Sequence, residues 1–200
     1  MNTVIFGGSF NPVHNGHLEL ARAAARLPKT DRILILPDFI PPHKQVGDDF
    51  ASASERLEMC RILSSLVEKS EVCDIELRRG GRSYMYDTVT ELESLFPEDD
   101  FFLLVGGDML VTLDSWYKSE ELLKKVGIIA AGRGDLPKKE IDAAAEKLRQ
   151  KGCRVISLPD RITPLSSTEI RAAITAGESG LPLPTGIEEY INEHGLYKRR

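Results

Sequence analysis

Short, unbroken apolar runs recur along this chain, separated by segments of helical composition. The runs are Thr3-Val4-Ile5-Phe6, Arg32 to Leu36, Phe101 to Val105, Gly127 to Ala131 and Arg154 to Leu158. Each is short for a buried helix and reads as a strand covered on both faces. Glu71 to Leu77 alternates apolar and polar residues, as a half-exposed strand does. Helical spacing is found from Leu18 to Leu27, and from Arg56 to Lys69 behind the capping residues Ser52, Ser54 and Glu55. It recurs from Ser83 to about Phe96, in a short segment after Asp108, from Ser119 to Lys125 and from Pro137 to Lys151. Ser166 with Glu169, and Thr185 with Glu188, stand in capping-box register for two last helices. Strand and helix alternating end to end predict an α/β fold. It is a single-domain, doubly wound, Rossmann-like and mostly parallel sheet over residues 1–200, with helices on both faces.

A sheet of that kind binds ligands beyond the carboxyl ends of its strands. The loops expected there are Gly7 to His17, Pro41-Pro42-His43-Lys44, Gly106-Gly107-Asp108 and the Gly132-Arg133-Gly134-Asp135 turn. The unusual residues of the chain collect on this edge. The first loop passes from strand to helix start and so presents N–H groups and a positive helix end to an anion. Asn15 is placed to cap that helix. His14 and His17, three residues apart, share one face of its first turn and both reach one bound group. The loop has neither a Walker A Gly-Lys-Ser/Thr nor a Gly-x-Gly-x-x-Gly fingerprint. Ser166, Ser167 and Thr168 cap a helix, and with Arg171 in its first turn they make a second cationic helix start suited to phosphates. Asp108 either caps its helix or meets a metal or ribose hydroxyls. Trp116 sits in a polar connection, off any periodic apolar face, where it can stack on a planar ligand. Arg78 to Arg82 reads as a mobile basic loop.

Composition narrows the classes. A net charge of −5 argues against a nucleic-acid polymer as partner, so phosphate sites must be local. No apolar run approaches the roughly 18 residues of a membrane span. The first strand lies at the front of the chain, which leaves no signal peptide to expect. Three scattered cysteines, Cys60, Cys73 and Cys153, form no metal-type pairs and fit reduced thiols in a cytoplasm. With no Gly-x-Ser-x-Gly elbow, direct nucleotidyl or phosphoryl transfer is the class expected, working by positioning and charge stabilisation.

Gly7-Gly8-Ser9-Phe10-Asn11-Pro12-Val13-His14-Asn15-Gly16-His17 resembles the nucleotidyltransferase signature with its His-x-Gly-His core. Pro-Pro-His-Lys at 41–44, Ser-Tyr-Met-Tyr-Asp-Thr at 83–88, Gly-Gly-Asp-Met at 106–109, Trp116 and Leu-Ser-Ser-Thr-Glu-Ile-Arg at 165–171 follow in order. Together with the ending Tyr190-Ile191 and His194-Gly195-Leu196-Tyr197, they resemble the bacterial nicotinate-nucleotide adenylyltransferase family over nearly the whole chain. The resemblance implies transfer of AMP from ATP, with Mg²⁺, to nicotinate mononucleotide, giving deamido-NAD and pyrophosphate. It implies that His14 and His17 stabilise charge at the α-phosphorus. Gly7, Gly8, Ser9, Phe10, Gly106, Asp108, Arg133, Ser167, Thr168 and Arg171 would surround ATP. Lys44, Tyr84, Met85, Trp116 and Tyr117 would surround the mononucleotide, with Trp116 stacked on the pyridine ring. The reading leaves open a homo-oligomer, a nicotinamide mononucleotide or phosphopantetheine acceptor, and a non-catalytic nucleotide-binding module. Three positions depart from the family's common residues: Asn11 for aspartate, Met85 for threonine and Gly107 for alanine.

Overall fold

The computed structural model describes residues 1–42, 47, 49–133 and 137–198. Its elements run β1 (Asn2–Gly8), α1 (Asn15–Ala25), β2 (Arg32–Pro37), α2 (Ala53–Ser65), β3 (Ser70–Val72), α3 (Ile75–Arg79), α4 (Met85–Leu95) and β4 (Asp100–Gly106). They continue with α5 (Gly107–Thr112), α6 (Ser119–Lys125), β5 (Val126–Arg133), α7 (Lys138–Gln150), β6 (Val155–Ile162), α8 (Ser167–Thr175) and α9 (Ile187–Glu193). The strands form one sheet in the order β3-β2-β1-β4-β5-β6, and every neighbouring pair is parallel. This is the doubly wound order, and the connections reverse direction between β1 and β4.

Continuous apolar strands are explained by burial on both sides. Val4 and Phe6 join a core under α1, α2 and α9, with Leu20, Met59, Leu63, Ile187 and Ile191. Ile5 between them enters the opposite core, with Val89 of α4, Leu122 of α6 and Leu148 of α7. Each fully buried aliphatic side chain contributes roughly 1.5–3 kcal/mol through the hydrophobic effect. Among the described residues no helix is long and apolar enough to cross a membrane.

The structure corrects several local expectations. Of the expected strand over Glu71 to Leu77 only Glu71 and Val72 pair in the sheet, within β3; Ile75–Arg79 is a helical turn. Two-residue alternation over so few positions does not separate strand from helix. α2 begins behind Ser52 as expected, with a reciprocal Ser52–Glu55 capping box, but it ends at Ser65. β6 continues beyond Leu158 to Ile162, through Pro159. It is the outermost strand, where proline removes no needed ladder bond, and its register shifts opposite Ala130 and Gly132. Tyr84, not Ser83, caps α4; Ser83 Oγ instead accepts the Phe39 N–H at 2.9 Å. Gly186, at φ +87°, takes the cap position expected of Thr185. Ser166 does cap α8, accepting from the Thr168 N–H at 3.2 Å.

The packing around Gly107 leaves little room for an alanine. A Cβ there would lie 2.6 Å from Ile141 Cδ1 and 3.0 Å from its Cγ1. Gly107→Ala alone is therefore expected to destabilise the protein by about 1 kcal/mol, the strain of overpacking exceeding the helical gain. Adding Ile141→Val, which removes Cδ1, should recover most of that loss in a double-mutant cycle followed by urea unfolding. Strict additivity of the two changes would refute the packing argument.

Candidate active site

β1 ends in the front loop, whose backbone is shaped by Phe10 at φ +47°, a left-handed conformation costly for a bulky residue. Packing offsets the cost. The Phe10 ring is 1% exposed, meets Phe6 edge-on at 5.3 Å and lies 5.0 Å from the His17 ring. His14, not Asn15, takes the N-cap position of α1. Its backbone N–H donates to His17 Nδ1 at 3.2 Å, and the two rings stack with centroids 3.7 Å apart. With Nδ1 accepting, a neutral His17 carries its proton on Nε2 as a donor. Gly16 lies beneath: a Cβ there would stand 3.2 Å from the His14 ring and 3.3 Å from the Thr163 carbonyl. Glycine at this position lets the β6–α8 connection approach the start of α1.

That connection carries the second helix start to the same place. Ser167 Oγ donates to the Pro12 carbonyl at 3.0 Å, and Arg171 Nη1 donates to the Asn11 carbonyl at 2.8 Å. Arg171 Nε also donates to Asp49 at 2.7 Å, and this bond holds the Asp49 carboxyl below its ordinary range. A guanidinium has five N–H donors, so donors remain for a ligand. Two positive helix ends, two histidines and an arginine thus meet around the Asn11-Pro12 backbone.

They face a cleft of about 700 Å³. Gly7, Gly8, Ser9, Phe10, His14, His17, Gly106, Asp108, Ser167, Thr168 and Arg171 line it, as do Tyr84, Met85, Trp116 and Tyr117. Lys44 lies outside the described residues, as do His43 and the Gly134-Asp135 part of the second glycine turn. So does most of the Lys198-Arg199-Arg200 tail. Arg133 ends β5, but its side chain is also outside the described set. Gly106, not Asp108, occupies the cap position of α5; Asp108 stands exposed in the first turn, where the dipole favours its charge. The Trp116 ring is half-buried, resting on the core behind α4 and α6. The Tyr117 ring lies 4.6 Å from that of Tyr84. Met85 reaches over Gly7: a Cβ on residue 7 would fall 2.8 Å from its methyl group.

Three acidic or basic groups in or behind this cleft were not among the sequence candidates. Asp38 accepts from Ser9 Oγ at 2.7 Å and pairs with Arg56 at 3.2 Å. Arg56, 1% exposed, also donates to the carbonyls of Ser9, Asp38, Phe39 and Ala51. Glu76 is 2% exposed, and burial pushes its carboxyl up. Arg56 had left a trace, since it shares a helical stripe with Met59, Cys60 and Leu63 at 3-, 4- and 7-residue spacing. Glu76, in a short segment read as a strand, had left none.

Among the described residues no group of three or more His, Cys, Asp or Glu side chains gathers as a metal cage. Asp108 is one carboxylate at the cleft, which suits an ion that keeps its waters and is held mainly by substrate phosphates.

Comparison with known proteins gives the family and the fold. The model of the cytidylyltransferase-like family matches residues 5–173. A probable nicotinate-nucleotide adenylyltransferase of Carboxydothermus hydrogenoformans is 37% identical, covering 97% of this chain and 96% of its own length. One of Listeria monocytogenes is 35% identical over 98% and 97%. The solved nicotinic acid mononucleotide adenylyltransferase of Plasmodium falciparum complexed with APC has the same fold, with a TM-score of 0.78 at 21% identity over 98% of this chain and 96% of that one.

Proposed function

The chain belongs to the cytidylyltransferase-like family and, within it, to the nicotinate-nucleotide adenylyltransferases, and from that membership we propose how its cleft works. It moves the adenylyl group of ATP to nicotinate mononucleotide, releasing pyrophosphate and forming deamido-NAD, a step of NAD biosynthesis. The observation that carries the site reading is the convergence of α1 and α8. The His14–His17 pair stands beside a loop whose Asn11 and Pro12 carbonyls hold Arg171 and Ser167.

The attacking group is a phosphate monoester, whose second pKa near 6 leaves it mostly dianionic at neutral pH, so no side chain has to take a proton. Its oxygen bonds to the α-phosphorus as the bridging bond to the β-phosphate breaks, and that electron pair leaves with pyrophosphate. What the chain supplies is alignment of two anions and neutralisation of growing charge. His14 and His17 act at the α-phosphate. Ser167, Thr168, Arg171 and the α8 N-terminus receive the departing pyrophosphate. Gly7, Gly8, Ser9, Phe10 and Gly106 form the backbone floor under ATP, with Arg133 at the far end of β5. Asp108 would hold the Mg²⁺ that enters with ATP, which when bound would supply further charge neutralisation. Trp116 backs the pyridine ring. The first-turn N–H groups of α4 at Met85 and Tyr86, which no intrahelical carbonyl can reach, recognise its carboxylate. Tyr84 and Tyr117 close that side, and Lys44 takes a phosphate. The reaction belongs in the cytoplasm, in keeping with three free cysteines.

A pyrophosphate-release assay with ATP and a panel of phosphorylated acceptors tests this. Nicotinate mononucleotide is expected to exceed nicotinamide mononucleotide by about 10–100-fold in kcat/KM, the worth of hydrogen bonds to a charged group. Phosphopantetheine should give no product. ATP binding without product from any acceptor would instead mean a nucleotide sensor.

A further inference from the structure

Glu76 is a buried carboxyl that the transfer mechanism leaves unused. It lies on α3, a five-residue helix with Ile75 also turned into the core. A carboxylate taken from water needs donors, and Glu76 has two hydroxyls. Thr88 Oγ1 donates at 2.6 Å, and the Ser83 hydroxyl beside it favours the charged form. Each hydroxyl is held from behind. Arg79 Nη2 donates to Thr88 Oγ1 at 2.8 Å, and the Phe39 N–H donates to Ser83 Oγ at 2.9 Å. Glu76 thus holds α4 directly through Thr88, while Ser83 beside it ties the segment entering α4 to the chain after β2. Ser83 is further tied by its own N–H to the Ile40 carbonyl at 3.0 Å. Between Ser83 and Thr88 lie Tyr84, Met85, Tyr86 and Asp87, and Glu76 itself lines the cleft beside Ser83, Tyr84 and Met85.

We infer that Glu76 is a positioning residue for the mononucleotide half of the cleft, clamping Ser83 and Thr88 so that the first turn of α4 faces the acceptor. The inference rests on the functional reading above. Its energetics separate it from simple core filling. Burial pushes the Glu76 carboxyl up, while the Thr88 and Ser83 hydroxyls and Arg79 pull it back. A folded-state value above the unfolded one means that ionising this group costs stability as pH rises through it. A neutral isostere should then fold at least as well at pH 8. What it loses is the second acceptor oxygen, whose place an amide fills with an NH₂ donor.

The test measures kcat, KM for nicotinate mononucleotide, KM for ATP and Tm at pH 8 for the full chain and for Glu76→Gln and Glu76→Ala. Glu76→Ala is expected to raise the acceptor KM about tenfold or more, with the ATP KM within about twofold. Glu76→Gln should restore most of that loss, leaving a rise of about threefold at an unchanged or higher Tm. Acceptor and ATP KM rising together, or both unchanged while Tm falls, would overturn the inference. If the alanine variant does not fold, an unchanged acceptor KM in Glu76→Gln overturns it equally. The wild type separates the two layers: an inactive wild type removes the functional reading and this inference with it, whereas an active one leaves only the role of Glu76 at stake.

Discussion

Replacing His17 with alanine is expected to lower kcat for adenylyl transfer by about 10²–10³-fold, the usual loss when one preorganised donor to developing charge is removed. ATP should still bind, with KM changed only a few-fold, because both helix ends and Arg171 remain. The ring's orientation is set first at His17 Nδ1, which accepts the His14 N–H at 3.2 Å and so leaves the Nε2 proton as the ring's donor. The stacked His14 ring, 3.7 Å away between centroids, holds both imidazoles on one face of α1. His14→Ala should be as damaging to turnover. Losing the cap contact costs about 1 kcal/mol of stability in the His17 variant, far less than the catalytic loss. Steady-state kinetics beside urea unfolding therefore separates the two effects. Near-normal kcat in either folded variant would remove these histidines from the chemistry.

Legibility of this molecule in its sequence follows where the physics is local. Runs such as Phe101 to Val105 announce strands because a parallel sheet covered on both faces leaves no polar positions in them. His14 and His17 could be placed at the ligand edge because the fold class alone puts their loop there, whereas the meeting with Ser167 and Arg171 is set by the tertiary structure. Reading failed where tertiary placement decides. Ile75–Arg79 is helical because Ile75 and Glu76 both turn inward, which a seven-residue alternation cannot reveal. Pro159 sits in a strand because β6 is an edge, a fact of sheet order rather than of propensity. His14 caps α1 because His17 answers its N–H, a partnership invisible in capping preferences. Buried charge was hardest to see, since a glutamate or arginine in a sequence reads first as a solvated face.

Arg56 is the largest such case, and Arg56→Ala is expected to cost about 3–5 kcal/mol, the range for removing one partner of a buried ion pair. Its guanidinium donates to the Ala51 carbonyl at 3.1 Å, Ser9 at 3.0 Å, Asp38 at 2.6 Å and Phe39 at 3.3 Å, and pairs with the Asp38 carboxylate at 3.2 Å. Burial pulls Arg56 below its ordinary value, and the Asp38 charge opposes that pull. An arginine stays charged in any case, so the charge is held by these acceptors. Alanine would strand four carbonyls and leave Asp38 with its Ser9 hydroxyl contact at 2.7 Å but without this counter-ion. Against a total stability of roughly 5–15 kcal/mol, the loss is enough to unfold a marginal protein. Lysine, with three donors on one atom, cannot reach the same fork and should recover less than half of the loss. Asp38→Asn keeps the carbonyl bonds and should cost only about 1–2 kcal/mol. Urea midpoints at one pH rank the three variants. Since Ser9 lines the cleft and Phe39 holds Ser83, which lines it too, the folded lysine variant should also lose affinity for both substrates together. That pattern is the opposite of the acceptor-only defect expected at Glu76. An Arg56→Ala protein within about 1 kcal/mol of wild type would show that the carbonyls find water and that Arg56 does not hold the site together.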